Sequence, residues 1–168
     1  MGQVDIDGIK TQIKSILDTA NTTTASPVDL SSGLRRRVQK VLKLHPMKVP
    51  IDPSYYPWVS MYVDNKEIEA ISMGNAGTQK SALRRAELII NVVCATQEPI
   101  IETLIEDQAD ENVEQLMENV EEILRSNFDL NSTVSWSFPD SAEYHDEPWD
   151  ERTFIRGALL PLRCTVFY

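Results

Sequence analysis

The stretch EYHDEPWDE, residues 143–151, holds the densest set of potential ligands in the chain: Glu143, His145, Asp146, Glu147, Asp150 and Glu151. Carboxylates this close together suit a hard cation, or a general acid and base working as a pair. Their spacing matches no Ca²⁺ loop, which needs a central glycine and a closing glutamate at fixed offsets, so a solvated acidic segment is the expectation. Tyr144 and Trp149 within it are candidate anchors for a partner protein, since aromatics on a long polar segment often serve that role; the alternative is packing back onto their own sheet. Other chemistry finds no support. The glycines are scattered, and GNAG (residues 74–77) lacks the Lys-Ser/Thr pair of a phosphate-binding loop. There is no GxSxG elbow, and His45 and His145 stand in a proline-rich loop and in the acidic segment. Cys94 and Cys164 lie in apolar alternating segments with no CxxC. Buried free thiols are therefore expected, with a disulfide between paired strands as the alternative and no zinc site. The chain is not expected to be an enzyme, and no cofactor or metal is expected.

Charge is laid down in blocks. From Leu30 to Ile51 every charged residue is basic: Arg35, Arg36, Arg37, Lys40, Lys43 and Lys48. From Glu98 to Glu122, and again from Asp140 to Glu151, every one is acidic. The net charge of −10 argues against general nucleic-acid affinity, and the basic block has no interleaved aromatics to stack on bases. Blocks of opposite sign suit protein assembly. Arg35, Arg36, Arg37 and Lys40 are thus candidate interface residues, meeting an acidic patch on a neighbouring copy; an exposed basic face with no partner is the alternative.

These segments must be carried by a single domain, since 168 residues build one core. Ile6, Ile9, Ile13, Ile16, Leu17 and Ala20 recur at helical spacing and predict an N-terminal helix. LRRRVQKVLKL, residues 34–44, reads as a second, basic helix lined by Leu34, Val38, Val41 and Leu42, with a strand as the alternative. Pro46, Pro50, Pro53 and Pro57 forbid regular helix and predict an extended loop. WVSMYV (58–63) reads as a strand with Val59, Met61 and Val63 on one face and Trp58, Ser60 and Tyr62 on the other. GNAG then forms a turn. The segment 82–97 reads as a central strand, with Ala86, Leu88, Ile90, Val92 and Cys94 on one side and a second side that is partly apolar.

Val113, Leu116, Met117, Val120, Ile123 and Leu124 predict an amphipathic helix, with Glu111, Glu114, Glu118, Glu121 and Glu122 on its wet side. Asp110 suits its N-cap and Asn127 a left-handed residue at its end, while Ile100, Ile101, Leu104 and Ile105 extend it or form a separate turn. Val134, Trp136 and Phe138 alternate in one further strand, and Leu160, Leu162, Cys164, Val166 and Tyr168 in a closing one. Between them residues 139–154 are too long for a tight turn and make an extended loop or arm. The expected class is α+β, a mainly antiparallel sheet with one or two amphipathic helices on one face. No stretch is long and apolar enough to span a bilayer, and MGQVDIDGIK has neither the layout of a secretory signal nor a myristoylation match, so no membrane association is expected.

The succession of an N-terminal helix, YYPWVSMYV after a proline-rich loop, RRAELIINVVCA, VEQLMENVEEIL leading into TVSW, and a closing LLPLRCTVFY resembles the tail terminator, or tail-completion, proteins of long-tailed bacteriophages. The likeness covers nearly the whole chain and rests on element order and texture. LRRRVQKVLKL and the length of the acidic arm depart from it. The resemblance implies a virion protein that forms a hexameric ring on the head-proximal end of the tail tube, stops tube polymerisation and meets a head-completion or neck protein. DNA would pass through such a ring without being gripped, and Glu114, Glu118 and Glu121 are candidates for an acidic channel lining that repels it. The competing expectation is an acidic inhibitor or immunity-type module that neutralises a basic partner.

Overall fold

The computed structural model describes residues 3–22, 28–71, 84–99, 108–150 and 153–168. Its elements run α1 (Ile6–Thr22), β1 (Lys40–Leu42), β2 (Trp58–Ala70), β3 (Arg84–Pro99), α2 (Gln108–Ser126), β4 (Trp136–Pro139), β5 (Glu143–Asp150) and β6 (Thr153–Phe167). The sheet order is β1-β2-β3-β6-β4, with β5 also paired to β6. Among the described residues only β1 and β2 are parallel; the other pairs are antiparallel. The fold is α+β as expected.

Both helices form where apolar periodicity demands them. In α1, Ile9, Ile13, Ile16, Leu17 and Ala20 are buried. In α2, Val113, Leu116, Met117, Val120, Ile123 and Leu124 are essentially inaccessible. They share one core with Val59 and Met61 of β2, Leu88, Ile90, Val92 and Cys94 of β3, and Leu160, Leu162 and Cys164 of β6. Each such side chain contributes roughly 1.5–3 kcal/mol of apolar burial, so this face of the sheet dominates stability. The second side of β3 is apolar at Val93 and Ala95, where Val49 and Tyr56 of the proline loop pack against it.

Several expectations change. The basic segment is no helix: it turns through residues 30–36 and ends in the short strand β1. Tertiary hydrogen bonds override its helical spacing, because Val38 N–H donates to Ser31 Oγ (2.9 Å), Asn21 Nδ2 donates to the Val38 carbonyl (3.0 Å), and Gln39 N–H donates to the Pro57 carbonyl (2.8 Å). The proline loop is largely extended but holds two 3₁₀ turns, Pro46–Lys48 and Pro53–Tyr55, each with proline at its start, where no N–H is needed, and capped by His45 and Asp52. β2 runs on to Ala70, past a register shift between Val63 and Asn65.

At α2, Asp110 falls in the first turn rather than ahead of it, and its side chain lies outside the described residues, as do GNAG and residues 100–105. Asn127 is not left-handed. Its Nδ2 donates to the Ile123 carbonyl (2.7 Å), and the left-handed residues come later, at Leu130, Asn131 and Ser132 with φ of 46°, 56° and 63°. Three such residues in a row are costly for L side chains. Ser132→Gly should therefore raise stability by about 0.5–1 kcal/mol, read as a shifted urea midpoint, because the exposed Ser132 Oγ to Asp129 contact it removes is worth little.

Pro161 sits inside β6 without breaking the sheet. Asp140 N–H donates to its carbonyl (2.8 Å), so the side of Pro161 that lacks an N–H faces the gap between β4 and β5, where no ladder bond is lost.

Candidate assembly interface

The helices cover one face of the sheet, and the other face is only partly clad. At one end the proline loop folds over it, so Val49, Tyr56, Trp58, Ala95 and Ile155 form a small second core. Beneath this cover Ser60 Oγ and Trp58 Nε1 are buried with no hydrogen-bond partner among the described residues. A trough of about 640 Å³ opens beside the loop, walled by Met47, Ile51, Trp58, Tyr62, Leu159 and His145. Met47 is 90% exposed at its rim.

At the other end the same face is bare. Trp136 and Phe138 stack with centroids 5.7 Å apart and planes 9° apart, yet they are 48% and 45% exposed. The expected strand is shorter than its alternation suggested: β4 begins at Trp136, Val134 lies before it and is buried in the core, and Trp136 and Phe138 face outward. Ser137 and Pro139 take the inner side, opposite Cys164 and Leu162, and the Ser137 N–H and hydroxyl both donate to the Phe128 carbonyl, at 2.6 and 2.8 Å. This pair of hydrogen bonds satisfies a buried serine and fixes which way β4 faces. Phe167, two residues beyond the Thr165 that pairs with Trp136, adds a third exposed aromatic to this face. Arg163 pairs with Phe138 in register and donates to Asp140 (2.9 Å), whose carboxyl it holds below the usual range with help from the Ser141 N–H.

The arm is an ordered β-hairpin strand, because β5 pairs with β6 from Glu143 to Asp150. Tyr144 is 41% exposed. Partial burial, and then the carboxylates of Glu114 and Glu118 with Glu121 behind them, push its phenol above its ordinary value. Three carboxylates of α2 thus act electrostatically on a tyrosine of the acidic arm. Glu114 and Glu118 are exposed, and Glu121 pairs with Arg125. Trp149 stands in β5, and its side chain lies outside the described residues.

Of the basic candidates, Arg37 is engaged within its own chain, donating to the Asn21 carbonyl and 3.4 Å from Asp29. Arg35, Arg36 and Lys40 are exposed and have no carboxylate partner among the described residues, although Arg36 donates to the Pro53 carbonyl (2.9 Å) and Lys40 lies 5.6 Å from the Tyr55 ring centroid. Sequence reasoning missed Met47, Ile51, Phe167 and the outward direction of Trp136 and Phe138 as a surface. A polar residue placed between two aromatics in so short a strand was the one available signal.

Among the described residues no three His, Cys, Asp or Glu side chains gather as metal ligands, and no helix is long and apolar enough to cross a membrane. Burial raises both thiols, Cys164 to about 12 and Cys94 further. A disulfide is ruled out by register: Cys94 pairs with Ala158 while Cys164 pairs with Leu88, which separates them by roughly 20 Å along the strands. Neither thiol should react with Ellman's reagent until the protein unfolds; stoichiometric labelling at neutral pH without denaturant would contradict this burial. A scan against protein-family models finds none that matches this chain, and a search of curated proteins finds no match either.

Proposed function

We propose that this chain is a ring-forming structural subunit of the tail-terminator kind, made in the host cytoplasm and built into the virion. It caps the head-proximal end of a phage tail tube, stops its polymerisation and joins it to a head-completion or neck protein. The observation that supports this reading is the one-sided sheet: helices bury one face, while the other presents Trp136, Phe138 and Phe167 to solvent. Clustered aromatics on a rigid sheet mark a surface that is covered in an assembly. In this proposal the bare face meets the last ring of tube protein, and neighbouring copies meet through other surfaces. The exposed carboxylates of Glu114 and Glu118, with Glu121, are assigned to the DNA path, where like charge keeps the duplex moving.

The test is negative-stain microscopy and light-scattering mass of the purified protein over a concentration series, with and without tail tubes. Closed hexameric rings, or density at one tube end only, is the expected result. Absence of both would overturn the proposal. Reversing Glu114, Glu118 and Glu121 to lysine should slow DNA ejection, and unchanged ejection would remove them from the channel.

The exposed carboxylates of Glu114, Glu118, Glu122 and Glu143 favour one competing reading, an inhibitor or immunity-type module for a basic protein. That reading requires tight binding to a basic partner by a chain that forms no ring.

A further inference from the structure

The two edges of the sheet carry opposite charge at the same level. The register runs from Lys40 to Trp58, Ala95, Gly157 and His145, so one line perpendicular to the strands crosses from β1 to β5. Strand spacing puts its ends roughly 19 Å apart. At the β1 end stands Lys40, with Arg35 and Arg36 in the bend that leads into the strand and Lys48 in the 3₁₀ turn that follows it, all exposed and without a carboxylate partner among the described residues. At the β5 end Glu143 is exposed, and its one described ion-pair contact is His145 at 3.9 Å, which counts only when the imidazole is protonated. Asp146, Glu147 and Asp150 follow in the same strand, with Arg156 the basic residue opposite Asp146. Among the described residues, β1 pairs only with β2 and β5 only with β6, so each leaves one open edge.

We infer that the β5 edge of one copy docks on the β1 edge of the next, a head-to-tail contact between copies of this chain. A self-complementary pairing of either edge would set like charge on like, which costs affinity, whereas the heterologous pairing sets acid on base. Strand direction agrees. β5 runs opposite to β1, so a step that preserves sheet direction brings the two edges together antiparallel, the geometry in which strand edges most often pair. The inference deepens the ring proposed above and rests on it for closure, because the same contact without the right rotation gives an open filament.

The experiment uses two charge-reversed full-length chains, Arg36→Glu with Lys40→Glu, and Glu143→Lys with Glu147→Lys, each checked for native circular dichroism. Light-scattering mass over a concentration series at low salt is the readout. The wild type should assemble, and less so as salt rises. Each reversed chain should need about 100-fold more protein to assemble, and an equimolar mixture should recover, because the acidic edge of one now meets the basic edge of the other. Arg35→Glu with Lys48→Glu replaces the first pair if that variant misfolds. A wild type that stays monomeric at low salt, reversed chains that assemble normally, or folded variants whose mixture stays monomeric would each overturn the edge contact. Rings that persist in the reversed chains would do so while leaving the ring itself standing; assembly that follows the charge swap but grows as open filaments would uphold the contact and defeat the ring.

Discussion

Asn119→Asp should bring the domain close to unfolding, with a loss of about 3–5 kcal/mol read as a collapsed urea midpoint at pH 7. Asn119 is 3% exposed within α2. Its Nδ2 donates to the Leu30 and Ser32 carbonyls, at 3.1 and 2.8 Å, while its Oδ1 accepts from Gln115 Nε2 at 3.1 Å. Together they clamp the turn at residues 30–33 onto the helix. Gly33 permits the approach: its φ is +75°, and a Cβ there would lie 3.0 Å from Gln115 Cγ. An aspartate turns the donor into a buried anion facing two carbonyl oxygens. Such a carboxyl has a folded pKa above its unfolded value of about 3.9, so the charge penalty is absent below that pH and grows as pH rises toward the folded pKa, leaving at low pH only the loss of one of the two donors. Asn119→Ala should cost about 2 kcal/mol with no such pH dependence. An aspartate variant as stable as the wild type at pH 7 would refute the clamp.

The second large effect is expected at the bare face. Trp136→Asp with Phe138→Asp should weaken tube-end binding several hundred-fold, since two central aromatic anchors contribute about 2 kcal/mol each. Both side chains are half exposed, so the isolated protein should keep its fold and, with both charged edges intact, its self-assembly. Labelled tube ends counted by microscopy over a titration measure the loss. Unchanged capping would remove this face from the tube contact.

Periodicity carried α1, α2, β3 and β6, because each buries a continuous stripe whose spacing is set by backbone geometry alone. It failed where the deciding partner is distant in sequence. Val38 and Val41 fit a helix equally well, and only Ser31, Asn21 and Pro57 make that segment extended. Period-two alternation in β4 placed Trp136 and Phe138 together but is blind to which face of the sheet they take; that was decided by Ser137 and the Phe128 carbonyl. Asn119 lay hidden on a helix rich in polar residues. The charge blocks were visible as blocks, but their places at opposite sheet edges follow only from the strand order.

That order has a kinetic consequence. β6 follows every other element in the chain, yet it sits between β3 and β4 and is the sole described partner of β4 and β5. Ala86 must find Val166 before the sheet has its centre. Until then α2 has only part of its bed, β3 and α1, and the unpaired edge of β3 stays open to any passing strand. On a ribosome the core can close only once β6 has emerged, so a nascent chain is exposed to misassembly until then.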